Sequence, residues 1–304
     1  MDTSRNRTLI TEDERHEVRQ ANRSGRTPVV FVHGLWLLPS SRDRWADLFR
    51  RAGYATLMPG WPYDPEAIGE ARARRKVFFG TPIDEVADHF EQVIRMLNKR
   101  PVIIGHSFGG LLTQILTGRG LAAASVAISP MRSRDILRIS SALTIDSTIP
   151  SKLAVLRPAS PALGGATKHR AVPLKYEEFR DAFANAVDED QAKRLYEQFC
   201  VPASTKGFLA DEFFQPAEAT NLSPGDEAVV DCRNPDRGPM LIIAGAKDRT
   251  IPVAIARTAF IREQDNEGTT EYLELPDRGH TLVIDDGWQE VAETALKFVW
   301  RFVS

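Results

Sequence analysis

The stretch Pro101-Val102-Ile103-Ile104-Gly105-His106-Ser107-Phe108-Gly109-Gly110 decides the fold of this chain. It begins as a short apolar run, the pattern of a strand buried on both faces. It ends in glycines around a serine, and a helix from Leu111 to about Leu116 follows, closed by Gly118 and Gly120. Gly-x-Ser-x-Gly between a strand and a helix is a sharp turn that lifts the serine hydroxyl above the sheet. The glycines remove Cβ atoms that would clash in so tight a bend. The serine also falls at the amino end of a helix, where free N–H groups favour negative charge. By itself the pattern is weak, and a plain glycine-rich turn is the bland alternative. The flanking strand and helix make Ser107 a candidate nucleophile.

The surrounding chain repeats the strand–helix alternation. Pro28–Val32 reads as a strand, followed by a helix from about Ser41 with Trp45, Leu48, Phe49 and Ala52 on one face. Thr56-Leu57-Met58 gives a second strand. Ile83, Val86, Ala87, Phe90, Val93, Ile94 and Leu97 form the clearest helical stripe, over about Ile83 to Asn98. Ser125–Ser129 and Met240–Ala244 are further buried strands, and Thr270–Leu275 another. Helices over about Val253–Gln264 and Trp288–Val303 complete the pattern. Such alternation predicts an α/β fold: a doubly wound, mostly parallel sheet of about six strands or more.

Residues 131–236 break the pattern with helical stretches at Tyr176–Val187 and Asp190–Phe199. Inserted after the strand at 125–129, they read as a mainly helical cap over the carboxyl edge of the sheet, where ligands bind in such folds. The expected organisation is a polar N-terminal arm at 1–27, a core at 28–130 and 237–304, and the cap at 131–236. A short helix around Glu12–Ala21 is allowed within the arm.

A serine nucleophile needs a base, and histidine serves near neutral pH. Of the six histidines, His169 and His280 follow Ser107. His280, in Pro276-Asp277-Arg278-Gly279-His280 after the last strand, is the candidate base. His169 falls in the cap insertion between two basic residues. Asp248, directly after the strand at 240–244, is the candidate carboxylate that orients the imidazole. Asp277, Asp285 and Asp286 compete, although the last two read as caps of the final helix. An oxyanion hole needs two N–H donors. The backbone N–H groups of Phe108 and Leu35 are the candidates, Leu35 lying in the His33-Gly34-Leu35-Trp36 loop after the first strand. His33 is expected to brace that loop, and His106, by strand alternation, to point away from Ser107. Trp36, Trp61, Phe78, Phe79 and Phe108 are candidates for an apolar substrate pocket, with ordinary core packing equally open for each.

These motifs together resemble the α/β-hydrolase superfamily, from about residue 28 to the end. The resemblance rests on His-Gly-Leu-Trp at 33–36, Gly-His-Ser-Phe-Gly-Gly at 105–110, Gly-Ala-Lys-Asp-Arg-Thr-Ile-Pro at 245–252 and Gly-His at 279–280. It implies a Ser107–Asp248–His280 triad of the esterase or lipase type. Ser107 argues against epoxide hydrolases and haloalkane dehalogenases, which carry Asp there. The His-Gly-Gly-Gly loop of the hormone-sensitive-lipase branch is absent. Met58-Pro59-Gly60-Trp61-Pro62-Tyr63 replaces the usual loop after the second strand. The N-terminal arm is too short and polar for the family's first two antiparallel strands.

Composition is ordinary for a soluble globular protein: 42% hydrophobic, 26% charged, net charge −2. The charge gives no case for nucleic acid. Cys200 and Cys232 read as free thiols. The first residues lack the apolar core of a secretory signal and no run is long enough to span a bilayer, so the expectation is a cytoplasmic protein without a membrane partner. No cofactor or metal site is expected. The expected partner is a small-molecule ester, lactone or thioester. Oligomeric state is open, a homodimer included. Perhydrolysis, cofactor-free dioxygenation, C–C bond hydrolysis and a non-enzymatic ligand receptor are the competing functions.

Overall fold

In a computed structural model, described over residues 10–62, 68–73, 83–131, 174–201 and 230–303, six parallel strands build the core. They are β1 (Pro28–Val32), β2 (Ala55–Leu57), β3 (Val102–His106), β4 (Ala124–Ile128), β5 (Met240–Gly245) and β6 (Thr270–Leu275), ordered β2-β1-β3-β4-β5-β6. β1, β3, β4 and β5 are buried at every residue, as their mainly apolar sequences require.

The helices are α1 (Glu12–Ser24), α2 (Asp43–Arg51), α3 (Ile68–Ala73), α4 (Ile83–Arg95), α5 (Phe108–Gly118), α6 (Tyr176–Ala182), α7 (Glu189–Phe199), α8 (Val253–Glu263) and α9 (Trp288–Trp300). The chain passes from β1 to β2 on one side, then returns to place β3 on the other side of β1. That reversal opens a crevice at the carboxyl ends of β1 and β3, where His33-Gly34 and Ser107 emerge. Among the described residues no helix is long and apolar enough to cross a membrane.

The expectation of a polar N-terminal arm is corrected from Thr11 onward. Thr11 and Glu14 form a reciprocal capping box that starts α1. Val18 and Ala21 are buried in the main core, and Glu17 accepts the backbone N–H of Met58 at 3.0 Å. Glu14 reaches across to His89 on α4 at 2.8 Å, with both side chains nearly inaccessible. Burial alone would raise the Glu14 carboxyl. The hydrogen bond and charge of His89, with the Thr11 amide and hydroxyl, outweigh that and hold it below its ordinary value. The arm reads as polar because one narrow stripe of a surface helix suffices to dock it.

Two other boundaries differ. The stripe expected over Tyr176–Val187 stops as a helix at Ala182 and continues as turns. Residues 230–236, assigned to the cap, pack on the core: Asn234 donates to Gly118 O at 2.8 Å, and Asn266 donates to Cys232 O at 3.0 Å. Both cysteines are free, and the Cys232 thiol is pushed up to about 12 by burial and by Glu263.

The edge strand β6 is half-buried along its length. Its Glu271 and Glu274 are held by Arg301 at 2.7 Å and Arg257 at 2.6 Å.

Candidate active site

The elbow is built as tightly as its glycines imply. A Cβ on Gly105 would run into the backbone oxygen of Gly109, and one on Gly109 into the backbone oxygens of Val32 and His33. Ser107 itself sits at φ 60°, ψ −120°, a region that costs an L-residue strain. Its backbone is pinned on both sides: its N–H donates to Ile128 O at 2.9 Å, and its carbonyl accepts from Met131 N–H at 3.1 Å. α5 begins at Phe108, so the Phe108 N–H is one that a helix leaves without an intrahelical acceptor.

β5 and β6 deliver the other two groups. Asp248 lies three residues beyond β5 and is buried. One carboxylate oxygen accepts the N–H groups of Thr250 at 2.9 Å and Ile251 at 2.8 Å. The other lies 2.7 Å from His280 Nδ1. His280 Nε2 lies 3.1 Å from Ser107 Oγ. An ionised carboxylate can only accept, so Nδ1 carries the proton and Nε2 presents a lone pair to the serine hydroxyl. This set can accept a proton from Ser107 and stabilise the imidazolium that results.

The competing carboxylates are elsewhere. Asp277 is exposed and pairs with Lys247 at 2.6 Å. Asp286 is exposed and faces Arg194 at 3.3 Å. Asp285 is buried, accepts the Gly287 N–H at 3.0 Å and lies 3.2 Å from Arg278. Burial raises its carboxyl, with Arg278 and the Gly287 N–H opposing. It braces the loop after His280 from within. α2 braces the same loop from outside: Trp45 Nε1 donates to Val283 O at 2.8 Å and Arg44 donates to Ile284 O at 2.6 Å.

The first-strand loop lies directly against the nucleophile. A Cβ on Gly34 would stand 3.0 Å from His106 O and 3.1 Å from Ser107 Cβ. Leu35 is buried beside it, and Trp36 follows at φ 60°. His33 stacks on Trp61 with ring centroids 5.4 Å apart, and Trp61 meets Phe108 edge-on at 6.4 Å. His169, Phe78 and Phe79 lie outside the described residues. His106 has a neighbour that its place in the strand did not indicate. Its ring is buried 4.5 Å from the ring of His280. Burial drives it well below the ordinary imidazole value, and the neighbouring charges of His280 and Arg42 push the same way, against a contact to the His280 backbone. His106 is therefore neutral near physiological pH.

One set of contacts was not foreseen. The turn after α6 reaches both active-site loops. Phe183 packs its ring edge-on against His280 at 4.8 Å, and Trp36 against Phe183 at 5.6 Å. Asn185 donates to Lys247 O at 2.8 Å, and Thr250 donates to Ala182 O at 2.9 Å. Phe179 and Phe183 stand at helical i, i+4 spacing in the sequence, and that pair was the available signal. Arg42 gave none, since an arginine at the polar start of a helix reads as surface. It is buried, and desolvation lowers its guanidinium to about 9.

The profile of the alpha/beta hydrolase family matches residues 29–294. The chain belongs to that family. α1 lies ahead of the matched span. Among solved structures, the monoacylglycerol lipase of Paleococcus ferrophilus is 20% identical over 90% of this chain and 93% of its own, with TM-score 0.59. An extracellular alpha/beta-hydrolase from a Paenibacillus species is 15% identical over 89% of this chain and 98% of its own, with TM-score 0.59. A methylesterase from Arabidopsis is 15% identical over 90% and 98%, with TM-score 0.57. At such identities the likeness is one of fold. No curated protein sequence matches the chain. Among the described residues no cluster of His, Cys, Asp and Glu could hold a metal ion.

Proposed function

We propose that this chain hydrolyses a carboxylic ester through a covalent acyl-enzyme on Ser107. The observation that carries the reading is the unbroken relay Asp248–His280–Ser107, at 2.7 and 3.1 Å. Ser107 Oγ attacks the ester carbonyl while His280 Nε2 takes its proton. The backbone N–H groups of Phe108 and Leu35 receive the developing oxyanion. Collapse of the tetrahedral intermediate expels the alcohol, which takes the proton from His280 and leaves an acyl-serine. Water then gives its proton to His280, attacks the acyl carbonyl and releases the acid, restoring Ser107. Asp248 stays ionised throughout and holds the proton on Nδ1.

The insertion that follows β4 acts in this reading as the cap over the site, and Phe183 and Trp36 form part of an apolar wall beside His280. Trp61 and Phe108 extend that wall on the β1 side, with Phe79 as a further candidate. A lactone or thioester would pass through the same steps.

The test is turnover of short-chain p-nitrophenyl esters. Ser107→Ala should lower kcat by roughly a thousandfold or more with thermal unfolding preserved. A folded Ser107→Ala protein with full activity would refute the assignment.

A further inference from the structure

Arg42 closes the short turn Pro39–Arg42 and stands at the amino end of α2. It is 3% exposed, and among the described residues neither Nη1 nor Nη2 has a hydrogen-bond partner. Buried Arg237, by contrast, has a carboxylate at hand, Glu263 at 3.6 Å, and half-buried Arg278 has Asp285 at 3.2 Å. A guanidinium taken out of water without a counter-charge is unfavourable, and the described residues supply none here.

Its chain neighbours fix where it lies. Upstream, Gly34 packs on Ser107. Downstream, Arg44 and Trp45 donate to the carbonyls of Ile284 and Val283, in the loop that follows His280. Arg42 thus belongs to the segment that runs from the loop beside Ser107 to the helix bracing the loop after His280. Its charge is felt at His106, the ring that touches His280.

The chemistry of the missing group follows. Two Nη donors on a planar cation match the two oxygens of a carboxylate. One buried positive charge neutralises a monoanion, whereas a dianionic phosphate would leave net negative charge buried. The amino end of α2 favours the same sign.

We infer that Arg42 receives a free carboxylate on the substrate, so that the preferred ester is a half-ester of a dicarboxylic acid or a similar anionic ester. This rests on the hydrolytic reading of Ser107.

The experiment compares kcat/KM of the full chain on the p-nitrophenyl half-ester of glutaric acid and on an uncharged p-nitrophenyl ester of similar length. The ratio of the two should fall about 10- to 100-fold in Arg42→Met, and less in Arg42→Lys. A ratio unmoved in both variants overturns the proposal. So does a wild-type enzyme whose rate on the uncharged ester rises with added inorganic phosphate while the ratio stays flat, because the site then takes a free anion. A binding measurement covers a variant that fails to fold: glutarate should raise the wild-type melting temperature and glutaramide should not. No glutarate shift overturns the carboxylate site. A glutarate shift without turnover of either ester supports the site while refuting the hydrolytic reading.

Discussion

Asp248 is fixed by its own loop before it meets His280. Thr250 and Ile251 give their N–H groups to one oxygen, which leaves the other free to face the imidazole. Asp248→Asn should keep this shape, because the amide oxygen can still accept from the loop. Its NH2 then faces Nδ1 and imposes the wrong tautomer, with the proton on Nε2. The expected outcome is a fall in kcat of about a thousandfold or more, with KM and melting temperature little changed. Stopped assays on the p-nitrophenyl esters and a thermal melt check it. Ser107, Asp248 and His280 were legible as candidates because each comes soon after the end of a strand, and parallel strands deliver their ends to one edge. Arg42 and Phe183 were not legible. Their positions depend on how a loop and a cap turn lie on the sheet, which no periodicity encodes.

At the scale of elements, the central strands were legible from their apolar runs, since a strand covered on both faces has few polar positions to confuse the pattern, while the edge strand β6 keeps two carboxylates. α1 was misread for the opposite reason. Its buried stripe is only Val18 and Ala21, with a carboxylate, Glu14, buried beside them. The Glu14–His89 pair therefore carries much of its attachment to α4. Glu14→Gln should destabilise the fold by about 2 kcal/mol near neutral pH, read as a lower midpoint in urea. The pH dependence has a fixed sign. The folded carboxyl lies below its ordinary value of 4.5. Its contribution is therefore complete above that value and is lost as pH falls through the lower folded value. The stability gap between wild type and Glu14→Gln should be present above the ordinary carboxyl value of 4.5 and close as pH falls below it. A gap that widened on acidification would contradict the assigned pairing.

For the molecule as a whole, the insertion is coupled to the core at the active-site loops themselves. The turn at 182–186 touches both the Asp248 loop and His280. α7 adds Arg194 on Asp286 and Phe199 against Arg44. Phe183→Ala should therefore lower kcat several-fold while unfolding at nearly the wild-type temperature, as expected where a loop loosens without the core melting. A large drop in melting temperature with unchanged kcat would reassign Phe183 to core packing. The sheet edges carry a different consequence. β2 is three residues long with α1 packed against it, and β6 carries two carboxylates locked to arginines on neighbouring helical segments. Short and charged edges discourage strand-to-strand pairing between molecules. Replacing Glu271 and Glu274 together with valine should give concentration-dependent light scattering where the native chain stays clear. The acidic edge that does nothing for catalysis would then set the concentration at which this protein can be stored.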